Sequence, residues 1–155
     1  MGLFDAINAS ASGLTAERLR MDVTAENLAN AQSTRGADGQ PYRRKEVVLQ
    51  QSGGGFGQAL DAAMGTPGAR AASAGGQDGQ GGVEVAGIVE DQSDFKLVYD
   101  PGHPDANAEG YVQMANVNPV TEMVDLISAS RGYEANVTAI QTAKTMFSKT
   151  LDILR

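Results

Sequence analysis

The chain has 155 residues, of which 41% are apolar but only 5% aromatic, with a formal net charge of -7 and an isoelectric point near 4.6. That length fits one domain, yet so few aromatics leave little material for a thick interior. The acidic balance argues against a phosphate-binding surface, which would gather Lys and Arg on one face, and against a basic membrane-surface helix. With no cysteine there is neither a disulfide framework nor a thiolate metal site, a composition that suits passage through an oxidising compartment.

The opening Met1-Gly2-Leu3-Phe4-Asp5 carries no basic stretch and no long apolar core, so the expectation is a protein without a cleaved secretory signal. No apolar run approaches the length of a bilayer span. Residues 3–30 read as a helix, with Asp5 in the first turn at the positive end of the dipole. Ile7, Leu14, Met21 and Leu28 recur every seven residues along it. Gly13 inside that helix costs about 1 kcal/mol relative to alanine, so either a second helix approaches closely there or the helix is flexible. Turn chemistry from Asn30 to Gly39 ends it.

Residues 42–50 read as a strand with Val47 and Leu49 on one face, preceded by Arg43, Arg44 and Lys45. That basic triplet is either a solvated strand end or a salt-bridging contact. Over residues 53–82, eleven of thirty are glycine, too little apolar surface to offset the entropy of ordering, which predicts a flexible loop over about 51–82. Val83, Val85 and Val89 resume alternation, Phe95, Leu97 and Tyr99 share a face, and Asp100-Pro101-Gly102-His103-Pro104 is a turn. Tyr111 to Met114 adds a short strand. Together these predict three or four strands in one small sheet leaning on the helices.

Asn118 and Pro119 mark the start of the last helix, Asn as cap and Pro at the first helical position. Glu122 and Asp125 lie early, Lys144, Lys149 and Arg155 late, so the charges complement the dipole. Residues 119–155 would span roughly 55 Å. Leu126, Tyr133, Ile140, Phe147 and Leu154 repeat every seven residues, with Met123, Val137 and Leu151 three positions ahead of the first, third and fifth. Gly132 marks close helix packing or is simply tolerated.

A seven-residue repeat is the seam of helices that wrap around one another, so both stripes call for a partner helix, from this chain or another copy. The expected fold is mainly α with a small β part: long N- and C-terminal helices paired as an antiparallel coiled coil, a short β-rich middle appendage and a Gly-rich flexible loop. Its organisation is residues 1–36 and 119–155 as helical core and 37–118 as the middle segment. A lone subunit would expose the stripes, so a weakly folded monomer that orders on assembly is expected.

No constellation supports catalysis, a cofactor or a metal. His103, the one histidine, sits in a Pro-rich turn between Asp100 and Asp105, and a turn residue is the simpler reading. Gly53-Gly54-Gly55-Phe56-Gly57 lacks the Lys-Ser/Thr of a phosphate loop. Ser10, Ser12, Ser128 and Ser130 lie on helices without a nucleophile elbow.

The segment Asn27-Leu28-Ala29-Asn30-Ala31-Gln32-Ser33-Thr34-Arg35-Gly36, with Arg131-Gly132-Tyr133-Glu134-Ala135-Asn136 near the other end, resembles the paired terminal signatures of bacterial flagellar axial proteins, the rod, hook and hook-filament junction group. Tyr99-Asp100-Pro101-Gly102-His103-Pro104-Asp105-Ala106, Gly110-Tyr111-Val112, Asn116-Val117-Asn118 and the run from Met123 to Arg131 are similar, within that family, to a proximal rod subunit. The motif positions are Asn27, Asn30, Thr34, Gly36, Asp100, Pro101, His103, Pro104, Arg131, Tyr133 and Asn136. Two departures stand out: the insert is longer and simpler than usual, and Ala115 stands where the family often has proline. The resemblance implies a structural subunit of the periplasmic rod of the flagellar basal body, exported by the type III apparatus without a cleaved signal. It also implies that the terminal helices pack with neighbours around a central channel. The implied partners are copies of itself, other flagellar rod proteins, basal-body ring and export-gate-adjacent proteins, and the export apparatus, with no nucleic acid and no direct membrane insertion. Another axial subunit, or a soluble two-helix adaptor or secretion chaperone, is the alternative.

Overall fold

A computed structural model describes residues 3–36, 39–52 and 81–153. Helix α1 spans Leu3–Ala29 and helix α2 spans Pro119–Ile153, with strands β1 (Lys45–Ser52), β2 (Gly82–Glu90), β3 (Lys96–Tyr99) and β4 (Tyr111–Met114) between them. The hydroxyls inside α1 are satisfied on their own helix: Ser10 and Thr24 each donate to the carbonyl four residues back, at 2.9 and 2.7 Å. Asn118 caps α2 as expected, its Oδ1 accepting from Val120 N at 3.1 Å while its carbonyl accepts from Glu122 N at 3.0 Å.

The helices run antiparallel, side by side. A Cβ on Gly13 would stand 2.9 Å from Asn136 Nδ2, and one on Gly132 would stand 3.2 Å from Glu17 Cδ. Further along, Asn27 donates to Glu122 at 3.0 Å. Both glycines therefore sit at points of close helix approach. Between the helices the buried residues are small: Ala16, Val23, Ala129 and Ala143. Among the described residues no Leu, Ile, Met or Phe is buried.

The strands form two separate antiparallel pairs, β1 with β2 and β3 with β4, not the single small sheet expected from the alternation. The physical reason lies at residues 91–95, where Ser93 N donates to Asp91 Oδ1 at 2.8 Å. That turn bends the chain away before β3 can extend the first ladder. Val48 pairs with Gly87 and Leu49 with Val85, leaving Ala86 unmatched at a bulge. The β1–β2 pair packs on α1, where Val83 N donates to Ser12 Oγ at 3.0 Å. Strand β1 starts three residues later than the expected 42, because Tyr42 and Arg44 are engaged by side chains from elsewhere. The glycine-rich insert expected over 51–82 lies, for residues 53–80, outside the described residues. Ala115 is fully buried directly after β4.

Candidate functional site

At one end of the helix pair, the end of α1, the start of α2 and the chain leading into β1 converge on two buried polar side chains. Asn27 and Glu122 are each 1% exposed. An amide and a carboxylate so deeply placed must have every hydrogen-bonding atom met. Asn27 Nδ2 donates to the Lys45 carbonyl at 2.8 Å and to Glu122 Oε2 at 3.0 Å, while its Oδ1 accepts from the Tyr42 hydroxyl and Lys45 N, both at 2.9 Å. Glu122 Oε1 takes Arg44 Nε at 2.6 Å. The same guanidinium reaches Asp125 at 3.5 Å and Glu46 at 3.8 Å.

Asn116 extends this clasp into the β part. Its Oδ1 accepts from Arg44 N at 2.7 Å, and its Nδ2 donates to the Asp91 carbonyl at 3.1 Å and to Ser93 Oγ at 3.0 Å. Arg43 donates to the Asp91 and Ser93 carbonyls and lies 4.4 Å over the Phe95 ring. The basic triplet is thus a set of salt-bridging and hydrogen-bonding contacts, with Lys45 paired to Glu26 at 2.7 Å. Burial, reinforced by the carboxylates of Glu26, Glu122 and Glu90, pushes the Tyr42 hydroxyl up to about 12. The hydrogen bond to Glu122 raises Arg44 further above its ordinary value. Hydrogen bonds from Ser93 hold Asp91 below the usual carboxylate range.

A second junction ties the segment after α1 to the Pro-rich turn. Asp105 accepts from Thr34 Oγ1 at 3.0 Å and pairs with Arg35 at 3.1 Å. His103 Nδ1 accepts from Asp105 N at 3.1 Å, so the imidazole is part of the turn. Asp100 Oδ1 accepts from Gly102 N at 3.1 Å, and Gly110, at a φ of 82°, packs against Pro101 and the Tyr99 ring. Gly36 N donates to the Gln40 carbonyl at 2.6 Å, and Asn30 closes α1 by donating to the Glu26 carbonyl at 2.9 Å.

The motif positions therefore gather in two places. Asn27, Thr34, Asp100, Pro101 and His103 stand at the two junctions, while Asn136 lies against Gly13 on the helix pair. Pro104 and Arg131 are exposed and Tyr133 is half-buried. Of the seven-residue stripes, Ile7, Leu14, Met21, Leu28, Leu126, Tyr133, Val137 and Ile140 are half-buried, and Met123, Phe147 and Leu151 are exposed. Leu154 lies outside the described residues.

Sequence reasoning placed Glu122 only as a dipole charge and did not single out Tyr42. A signal was present. Glu122, Ala129, Asn136 and Ala143 are themselves spaced by seven, and a carboxylate on a helix seam needs a cation, which the one basic triplet supplies. A cleft of about 240 Å³ beside the clasp is lined by Arg20, Thr24, Val47, Leu49 and Asp125 among others. Among the described residues no group of three or more His, Asp or Glu could hold a metal ion, and no helix is long and apolar enough to cross a membrane.

The N-terminal signature meets α2 at this clasp through Asn27, and the C-terminal signature meets α1 further along through Gly132 and Asn136. Comparison with known families places the chain among the flagellar axial proteins. Two family models agree: "Flagella basal body rod protein" matches residues 7–37 and "Flagellar basal body rod FlgEFG protein C-terminal" matches residues 108–153. The chain is 52% identical to the flagellar basal-body rod protein FlgC of Bacillus subtilis, over 99% of each. It is 46% identical to FlgC of Escherichia coli O6:H1, over 99% of this chain and 98% of that one, and 43% identical to FlgC of Borreliella burgdorferi, over 100% and 99%. It belongs to the FlgC family and is a structural subunit of the flagellar basal-body rod.

Proposed function

We propose that the terminal helices, residues 1–36 and 119–155, pair as an antiparallel coiled coil and pack with those of neighbouring subunits around a central channel, while residues 37–118 form a β-rich outer part. The product is a hollow shaft that transmits torque. The observation that carries this reading is the mismatch between the seam within one chain and the apolar residues left over. Glycine and alanine hold α1 to α2, whereas Met123 and Leu151 remain exposed and Leu126 and Ile140 only half-covered. Covering a large aliphatic or aromatic side chain is worth roughly 1.5–3 kcal/mol, so several such side chains on each copy give a strong drive to assemble. Interlocking side chains on long helices also resist sliding, which a rotating shaft requires.

The partners in this reading are other copies, other rod subunits, and the basal-body ring and export-gate-adjacent proteins at the base. The location is the periplasmic rod, reached through the flagellar export apparatus, and no catalytic step is involved. Imaging of basal bodies from a deletion strain complemented with a labelled chain tests it. The label is expected along the rod axis. A label absent from the rod, with the chain recovered instead in a small soluble complex with one partner, would contradict it.

A further inference from the structure

On the side of α2 turned away from α1, Val120, Val124 and Ile127 are 65%, 60% and 54% exposed, and Arg131 and Glu134 continue the same face, also exposed. The steps of four, three, four and three residues put all five on one line along the helix. The outward side of α1 carries Arg18, Asp22, Ala25 and Ala29, all exposed. Among the described residues none of Arg18, Asp22, Arg131 and Glu134 forms an ion pair within its own molecule.

The two faces complement each other in shape and charge. Laid antiparallel, Val124 falls opposite Ala29 and Ile127 opposite Ala25, so branched side chains meet alanines that leave room for them. In that same register Arg131 meets Asp22 and Glu134 meets Arg18. The reverse, parallel arrangement that keeps Ile127 over Ala25 sets Arg131 near Ala29 and leaves Asp22 beside the apolar Val124, so both charge pairs are lost. Two pairs of opposite sign in one register are specific, because like charges in that position would repel.

The geometry points to a homotypic, head-to-tail contact in which the outer face of α2 seats on the outer face of α1 of a second copy, in that antiparallel register. This deepens the rod-subunit reading and rests on it. Within one chain Gly13 lies opposite Asn136 and Glu17 opposite Gly132. The contact between copies is displaced from that alignment by about three to four residues, an axial step of about 5 Å per copy. Because two different faces meet, each copy keeps one face free for the next, and the contact propagates as an open helical array rather than closing as a pair.

The chain has no native cysteine, so designed thiols report cleanly. The full-length Ala25→Cys/Ile127→Cys chain, concentrated and oxidised, is expected to give a covalent ladder in multiples of 16.1 kDa, whereas an Ala25→Cys/Gln113→Cys control is not. In cells, Asp22→Arg and Arg131→Asp each reduce swimming at least tenfold, and the double exchange restores it. No ladder, an equal ladder from the control, or a bond only to a subunit of different mass overturns the contact. Basal bodies separate the two claims: if the chain is present in rods while the charge exchanges are neutral and no ladder forms, the contact fails and the rod reading stands. If the chain is absent from rods, the rod reading itself fails.

Discussion

Replacing Arg44 with alanine removes the cation facing a carboxylate that is 1% exposed. Glu122 Oε1 lies 2.6 Å from Arg44 Nε, and among the described residues its other oxygen is held only by the Asn27 amide at 3.0 Å. Breaking a buried pair by removing one partner costs about 3–5 kcal/mol, because the charge left behind is neither solvated nor matched. The Arg44 side chain is 24% exposed, so water partly screens the pair and the lower end of that range applies. For a chain of this length, about 3 kcal/mol lowers Tm by roughly 6–12 °C. Glu122→Gln keeps an oxygen for Arg44 but not the charge, and costs about 1–2 kcal/mol. Combined with Arg44→Met, which removes both members of the buried ion pair, it costs less than the sum of the single changes. Thermal melts of the assembled chain at one fixed concentration, followed by circular dichroism, measure all of these. An Arg44→Ala chain within about 0.5 kcal/mol of wild type, or simple additivity in the double variant, would refute the argument that the clasp holds the helices to the β part.

Gly13→Leu drives a side chain into Asn136, whose amide stands 2.9 Å from where a Cβ would be, and should cost about 1–3 kcal/mol by overpacking, read in the same melts. Tyr42 has a folded-state value of about 12 against 10.0 unfolded. A raised value means that its contribution is fully present below pH 10 and is lost as pH rises from about 10 to about 12. Alkaline unfolding of Tyr42→Phe should therefore be less steep than wild type across that window. Leu126→Asp and Ile140→Asp should abolish incorporation into basal bodies, scored by immunoblotting, while deleting residues 53–75 is mild by comparison. In dilute solution helicity should fall short of the 27 and 35 residues of α1 and α2 and rise on assembly. Full, cooperative helicity in the monomer would argue against subunits that order as they pack.

Both helices were legible in the sequence to within a residue at their described ends, because Asn118-Pro119 and the turn chemistry after Ala29 are local signals. The short strands were legible too, apart from β1, which starts late because Asn116 takes the Arg44 amide that a strand would otherwise use, and which runs on to Ser52, where Gly82 of β2 pairs with it inside the stretch expected to be loop. What the sequence concealed is which helical face does what. Large apolar side chains dominate any reading of periodicity, yet the contact inside the chain runs through Gly13, Ala16, Ala129, Gly132 and Ala143, where smallness rather than hydrophobicity is the requirement. The separation into two strand pairs was also hidden, since it turns on a side-chain bond between Asp91 and Ser93. Of the clasp, Asn27 was visible through its motif. The pairing of Glu122 with Arg44 joins residues far apart in sequence, and its one trace is the seven-residue spacing that Glu122 shares with Ala129, Asn136 and Ala143.

The central claim is that the outer apolar face of α2 is covered only when subunits assemble, and thiol accessibility reads that directly. In a Val124→Cys chain the single thiol should react with a maleimide rapidly in dilute solution and at least a hundredfold more slowly in isolated basal bodies. Equal rates in the two states would contradict the account.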